Sequence, residues 1–379
     1  MRLPLSTALR TNNPKRAVNV IHGGGNFNMA LQRNGKLWAW GSNQSGQVGD
    51  NSLIAKCTPT AIAGASKTFC EISTGGANAA AAHALAIDKY GRVWAWGANT
   101  SGQIGDNSTV SKLTPVSVLG SAKTFCRIDS GNIHSLAIDK NGRVWAWGGN
   151  VFGRFAGGQL GDGTINSRLT PVSVIGQVKT FCRIAAGDAF SLAIDKNGKP
   201  WAWGFARGGK LGDNLSGDKC TPVAVCTDKT FCLISAYPHS LAIDKNGQAW
   251  AWGVNLYGQL GDNSTISKNI PVSVAGLPKT FCQISAGSNH SLAIDKNGKI
   301  WAWGNNSYGE LGDGTTNSKI TPVAVIGQPR TFCKINSGLF LSLAIDKHGG
   351  AWAWGFNDNG ELGIGSTISS LTPVRVCNI

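Results

Sequence analysis

Four histidines at one repeated position are the side chains best placed to move protons or bind metal. His83, His134, His239 and His290 each open the sequence His-x-Leu-Ala-Ile-Asp. The same position holds Phe27, Phe190 and Leu341 in the other copies. A site shared by His, Phe and Leu is a packing or hydrogen-bonding site, not a proton relay. Six loop aspartates recur as well: Asp50, Asp106, Asp162, Asp213, Asp262 and Asp313, each after a glycine and before Asn or Gly. The ligand spacing of a calcium loop is missing, and turn formation accounts for them. Ten cysteines complete the inventory. Cys70, Cys126, Cys182, Cys232, Cys282 and Cys333 end the motif Lys/Arg-Thr-Phe-Cys. Cys226 and Cys377 stand where other copies carry Leu119, Ile175 or Ile326, and Cys57 and Cys220 where they carry Leu113 or Leu169. Interchange with apolar residues predicts buried free thiols. The spacing of Cys220, Cys226 and Cys232 fits no zinc pattern. Nucleophile-elbow, phosphate-loop and zinc-protease motifs are all absent. The expectation is a non-enzyme with no catalytic, cofactor or metal residues.

The elements that carry these positions are set by a repeat. All fourteen tryptophans lie in seven copies of Trp-Ala-Trp-Gly, opened by Trp38, Trp94, Trp145, Trp201, Trp250, Trp301 and Trp352. A period of about 50 residues means one supersecondary unit copied along the chain. In residues 279–329, Thr280 to Ile284 and Ser291 to Ile294 read as strands. Asp295-Lys296-Asn297-Gly298 reads as a hairpin turn, because Asn-Gly accepts positive φ. Ile300 to Trp303 is a third strand, with Trp301 and Trp303 on one face and Ala302 on the other. A Gly-rich loop precedes a fourth strand, Pro322 to Val325. Four short strands per unit, with no helical periodicity, predict an all-β, seven-bladed β-propeller. The expected repeats span about 16–66, 67–122, 123–178, 179–228, 229–278, 279–329 and 330–379, after a tail at 1–15. The first and last units are expected to close the ring, and the chain ends share one sheet if the last strand joins the first blade.

The repeat also places the charge. The chain is net +15. One predicted ring of cations precedes each first strand: Arg16, Lys67, Lys123, Lys179, Lys229, Lys279 and Arg330. A second occupies the hairpin turns: Arg33, Lys89, Lys140, Lys196, Lys245, Lys296 and Lys347. Lys36, Arg92, Arg143, Lys199 and Lys299 follow the turns. These nineteen cations face six turn aspartates, Asp88, Asp139, Asp195, Asp244, Asp295 and Asp346, so a net of thirteen falls on one end of the ring. Such an end attracts acidic or polyanionic partners. The candidate polyanion-binding residues are Lys67, Lys89, Lys123, Lys140, Lys179, Lys196, Lys229, Lys245, Lys279, Lys296, Arg330 and Lys347. No exposed aromatic platform is expected beside them, and the tryptophans are read as inter-sheet filling.

Two copies break the pattern: Ala77 to Ala82 lengthens one turn, and Gly149 to Gly158 lengthens the loop after Trp147. Departures from a repeat are where function is grafted. Phe152, Arg154 and Phe155 are therefore the candidate partner contacts, with covering of a neighbouring blade as the alternative. No apolar run is long enough to span a membrane, and no secretory h-region opens the chain. A cytoplasmic location, or one inside an assembly, is expected.

The unit as a whole, with His290-Ser291-Leu292, Trp303-Gly304-Asn305 and Gly258-Gln259-Leu260-Gly261, resembles the repeat of the regulator of chromosome condensation family across about Arg16 to Val376. The resemblance implies a seven-bladed propeller that acts by binding proteins. Family members include an exchange factor for a Ran-type small GTPase that also binds nucleosomes, ubiquitin-ligase domains and photoreceptors. The exchange factor works through a protruding β-hairpin wedge, which neither insertion here is expected to form. The extra Trp cluster of the photoreceptor is missing. The close likeness among copies suits prokaryotic or phage-borne members. The reading is thus an interaction or structural propeller, as a subunit of a virion or surface structure or as an adaptor. The alternative is exchange on a Ran-type GTPase with chromatin or nucleic-acid binding.

Overall fold

In a computed structural model, residues 17–64, 67–76, 78, 80–120, 124–153, 155–176, 180–276, 280–327 and 331–379 are described. The tail at 1–15 lies outside them, as do Ala77 and Ala79 of the alanine-rich insertion. The described residues contain no helix. They form seven four-stranded antiparallel sheets, over 18–61, 69–117, 125–173, 181–224, 231–273, 281–324 and 332–375; six are built from four consecutive strands, and in the third a two-stranded hairpin separates the third strand from the fourth. These are the blades of a propeller, numbered one to seven in chain order.

Blade six shows the register. Its strands are Phe281–Ala286, His290–Asp295, Ile300–Gly304 and Lys319–Ala324. Phe281 pairs with Asp295 at one end, while His290 pairs with Gly304 and Gly304 with Lys319 at the other. First strands of successive blades touch one another, so the first strand lines the central axis. The fourth strand is outermost. The hairpin turns and the starts of the first strands share one end of the ring, here the turn end. The long Gly-rich loops and the histidines occupy the opposite, loop end.

Apolar residues fill the seams between blades rather than the blades themselves. Seven hydrophobic clusters each join two neighbouring blades. The second tryptophan of every Trp-Ala-Trp-Gly is fully buried in such a seam. Its indole N–H donates to a backbone carbonyl in the loop of the preceding blade, as from Trp303 to Gln259 O at 2.9 Å. A glycine two residues beyond that acceptor must stay a glycine: Gly261 has φ +67, and a Cβ there would lie 2.7 Å from Trp303 Nε1. The two tryptophans of each motif therefore have different work, although they share a sheet face.

The ring closes between chain start and chain end, but not within one sheet. The last strand, Ser370–Arg375, completes its own blade, and the first strand, Val18–Gly23, belongs to blade one. Closure is the same seam packing used elsewhere. Val18, Ile21 and Trp40 pack with Leu341, Leu343 and Leu362. Trp40 Nε1 donates to Glu361 O at 2.7 Å, and Val18 N to Gly349 O at 3.1 Å.

Candidate interaction surfaces

The histidine ring at the loop end is a set of struts between blades. His134 Nε2 lies 3.0 Å from Ser191 Oγ in the next blade, and that hydroxyl donates to Gln159 O at 2.8 Å. The single serine proton is thereby used, so Nε2–H must be the donor to Oγ. Nδ1 of His134 is buried without a partner. The ring is the neutral Nε2–H tautomer. His239 with Ser291 and Gln259 O repeats this at 2.8 and 2.7 Å. His83 meets Ser135 and His290 meets Ser342, both at 3.1 Å. Burial disfavours the charged imidazole. It lowers the pKa of His83 and His290 to about 4, and of His134 and His239, each also repelled by a neighbouring histidine, to about 3. The partners follow the substitutions only in part: the serine position of the next blade is Ala84 after Phe27 and Asn28 after Leu341, but Ser240 after Phe190, where the hydroxyl still donates to Lys210 O. These groups hold the ring together and offer no proton at neutral pH.

The loop aspartates are equally committed. Asp106 Oδ1 accepts from Ser108 N and Oγ, and from the buried Asn99 Nδ2. Its other oxygen pairs with Lys112 at 2.9 Å. The matching pairs are Lys56–Asp50, Arg168–Asp162, Lys219–Asp213, Lys268–Asp262 and Lys319–Asp313, at 2.7 to 3.8 Å. Hence each of these loop-end cations has its own carboxylate. Among the described residues no group of three His, Cys, Asp or Glu is arranged to hold a metal ion.

At the turn end the carboxylates point inward instead. Asp195 Oδ1 accepts from Asn197 N and Lys199 N, clamping the hairpin, and Oδ2 accepts from Trp201 Nε1 at 3.1 Å. Asp88, Asp139, Asp244, Asp295 and Asp346 do the same for Trp94, Trp145, Trp250, Trp301 and Trp352. The first tryptophan of each motif is thus half-buried at this end. Blade one carries Gln32 in place of the aspartate, and Trp38 Nε1 is left without a partner. With the carboxylates drawn in, Lys89, Lys140, Lys196, Lys245, Lys296 and Lys347 stand exposed, and Lys67 and Lys229 half-buried. Lys123, Lys179, Lys279, Arg330 and Arg16 lie outside the described residues. Nearer the axis, Arg127 and Lys334 are exposed and Arg183 is half-buried. Glu71, against Arg127 at 3.6 Å, has its pKa raised to about 7 by burial.

Three expectations are corrected. The cysteines of the Thr-Phe-Cys motif are exposed, not buried. Each sits on a β-bulge: Phe69 pairs with Asp88 and Glu71 with Ile87, leaving Cys70 as the extra residue. A bulge breaks the alternation of faces, so an apolar-looking position turns outward. Burial of what remains raises the pKa of Cys70, Cys126, Cys232, Cys282 and Cys333, so these thiols are not activated. Cys226 is also exposed, while Cys57, Cys220 and Cys377 are half-buried.

The second correction concerns the insertion in blade three, which does form a hairpin. Val151–Phe152 pairs with Phe155–Ala156, with Phe152 opposite Phe155. Phe-Gly-Arg-Phe carries the sequence signal for it, since glycine at the first position of a two-residue turn suits a tight hairpin; Gly153 has φ +61. Arg154 lies outside the described residues. The hairpin follows Gly148, the last residue of the third strand, and so leaves from the loop end. Among the described residues, the candidate partner contacts and the candidate polyanion residues therefore occupy opposite ends of the ring. The third correction is Tyr90, an exposed aromatic among the turn-end cations.

Two cavities lie among the described residues. An axial cavity of about 60 Å³ lies among His22, Thr74, Asp129, Tyr237 and Asn336. His22 Nδ1 accepts from Thr74 N at 3.2 Å, and burial raises the Asp129 pKa to about 6. A cleft of about 710 Å³ runs along the blade-four loop beside Phe205, Arg207, Leu215 and Asp218. No described helix is long and apolar enough to cross a membrane.

Known proteins share this arrangement. Residues 151–379 match the RCC1-like domain, and 34–82, 90–138 and 125–154 match the regulator of chromosome condensation (RCC1) repeat. The chain is 28% identical to the Ultraviolet-B receptor UVR8 of Arabidopsis thaliana over 370 residues, covering 95% of this chain and 82% of the receptor. It is 29% identical over 366 residues to the mitochondrial RCC1 domain-containing protein RUG3 of the same plant, covering 93% and 68%. It is 28% identical over 312 residues to the human E3 ubiquitin-protein ligase HERC2, covering 81% of this chain but only 5% of the ligase. In fold it is similar to Prp20p of Saccharomyces cerevisiae, a protein studied for its binding to Gsp1p and histones, with a TM-score of 0.81 at 21% identity over 98% and 90% of the two chains. Human WBSCR16 gives a TM-score of 0.80 at 21% identity over 90% and 94%. By its repeats and its seven blades, the chain belongs to the regulator of chromosome condensation family.

Proposed function

We propose that this protein is a non-enzymatic binding propeller, working as a subunit of a larger assembly or as an adaptor, that docks a protein partner at the loop end. The observation that carries this reading is the Val151–Ala156 hairpin, the one two-stranded sheet among the described residues. Elsewhere the repeated histidines, aspartates and loop-end cations are spent on struts, turn clamps and ion pairs within the ring. The hairpin adds no blade and interrupts a near-uniform loop end. The turn end is read as a polyanion surface, since among the described residues its turn lysines have no ion pair like those of the loop end, although Arg92 pairs with Asp88 at 2.8 Å and Lys229 with Asp228 at 3.0 Å.

The test is the native mass of the chain in its source material, with the wild type compared with a variant in which 149–158 is cut to the length of the corresponding loop in blade two. Recovery of the wild type in a large particle, and of the trimmed variant as a monomer with unchanged thermal stability, supports the reading. Identical behaviour of the two removes the hairpin as the contact. The hairpin also favours a second reading, guanine-nucleotide exchange on a Ran-type small GTPase, because the family's exchange factor acts through such a wedge. Release of a fluorescent GDP analogue from a Ran-type GTPase, accelerated by the wild type and not by the trimmed variant, would select that reading instead.

A further inference from the structure

One turn at the basic end differs from the other six. The residue after the turn lysine or arginine is Asn34, Asn141, Asn197, Asn246, Asn297 or His348, but in blade two it is Tyr90. Tyr90 is 64% exposed. Lys89 Nζ lies 5.0 Å and Arg92 Cζ 5.2 Å from the ring centroid. Arg92 also lies 5.8 Å from the Trp94 ring, which carries Lys67 Nζ at 3.9 Å. Cations and aromatic rings thus alternate from the half-buried Trp94 outward to Tyr90.

The ladder is held from beneath. The buried Asp88 accepts from Arg92 Nε at 2.8 Å and Trp94 Nε1 at 3.1 Å through one oxygen, and from Tyr90 N and Arg92 N through the other. The guanidinium and the backbone of the turn that carries Tyr90 are therefore ordered before any ligand arrives, which lowers the entropy lost on binding. Blade three continues the surface. Gly91 O accepts from Phe125 N, and Thr124 O accepts from Lys140 N, so the two turns are linked through the start of one strand. Arg127, Lys140 and Arg143 stand exposed there.

We propose that this corner binds single-stranded nucleic acid, with one base stacked on Tyr90 and neighbouring phosphates on Lys89, Arg127 and Lys140. The inference rests on the reading of the turn end as a polyanion surface and narrows it. A carboxylate-rich peptide finds its cations at any turn and gains nothing from an aromatic face. A nucleotide strand uses both, since sequence-tolerant single-strand sites combine a basic track with aromatic stacking.

The experiment is fluorescence anisotropy of three labelled probes against the full chain: a short oligothymidylate, an abasic strand of equal length and charge, and a polyglutamate. Wild type is compared with Tyr90→Asn, which installs the residue used by five other turns and so preserves the fold, and with Tyr90→Phe. The expected result is oligothymidylate affinity weakened by about 5- to 100-fold in Tyr90→Asn and retained in Tyr90→Phe. Abasic-strand binding should not change. Equal oligothymidylate binding by wild type and Tyr90→Asn overturns the stacking proposal while leaving the polyanion reading in place. Preference for polyglutamate over both strands overturns it in favour of an acidic protein. No binding of any probe at low salt overturns the proposal and the polyanion reading together.

Discussion

Replacing His134 with phenylalanine isolates one strut and gives it a defined pH signature. The substitution is the repeat's own alternative, since Phe190 lies against Gly187 much as His134 lies against Gly131. Ser191 keeps its donation to Gln159 O, so no buried donor is orphaned. Above pH 6.5 the histidine is neutral whether folded or unfolded, and the cost is the lost strut bond, about 1 kcal/mol. Below pH 6.5 the unfolded histidine takes up a proton that the folded one, with a pKa of about 3, refuses. The unfolded state then binds more protons, so wild-type stability from this group rises with pH and is lost as pH falls from 6.5 toward 3. Each pH unit in that window is worth about 1.4 kcal/mol, so by pH 5 the wild type has lost about 2 kcal/mol that the variant keeps. His134→Phe should therefore be slightly less stable than wild type at pH 7.5 and more stable at pH 5. Comparison with the variant is needed because Glu71 and Glu310, raised by burial to about 7, and Asp129, raised to about 6, act in the opposite sense over the same range. Urea unfolding across pH 4.5 to 8, followed by tryptophan fluorescence, measures the crossing. Parallel curves would show that His134 titrates normally in the folded state and that the strut assignment is mistaken. Ser191→Ala is the complementary test: it strands the Nε2–H of His134 and should cost about 1 to 3 kcal/mol at pH 7.5.

Three other outcomes follow from the same geometry. Gln32→Asp gives Trp38 Nε1 the acceptor that six other blades provide, and should stabilise the fold by about 1 kcal/mol in urea titration; a loss of stability would contradict the turn-clamp account. The exposed thiols should react with a disulfide reagent in the native chain, with the half-buried Cys57, Cys220 and Cys377 lagging until unfolding. At Cys70, Cys126, Cys232, Cys282 and Cys333, whose pKa values burial raises, that reaction should quicken as pH rises, and silence of the native protein toward the reagent would restore the buried reading. Charge reversal at Lys140, Lys196 and Lys245 should weaken polyanion binding and lower the slope of log affinity against log salt by about two for a single strand, whereas an unchanged slope would remove the turn end from consideration.

Repetition explains what could be read from sequence and what could not. Seven copies of one pattern turn weak local signals into a strong one: any single Asp-Lys-Asn-Gly is an ordinary turn, but its recurrence between Leu-Ala-Ile and Trp-Ala-Trp fixes the hairpin, the blade and the ring. The same averaging hid three departures. The β-bulge at Cys70 and its counterparts leaves no sequence mark, because the extra residue is defined by its pairing partner across the strand. The blade-three hairpin is signalled by Phe152-Gly153-Arg154-Phe155, but against the repeat that segment is only surplus length. Tyr90 stands at a turn position that is asparagine in five other blades, and the consensus masks it. Charge segregation shows the limit most clearly. The sequence supplies as many aspartates in the turns as in the long loops, and counting alone makes both ends partly neutralised. Geometry separates them: Asp106 reaches out to Lys112, while Asp139 turns in to Trp145. A carboxylate that pairs with a lysine at the surface cancels it locally, whereas one withdrawn beneath an indole leaves its lysine uncancelled, so two ends built from the same residue types differ in how far their cations are neutralised.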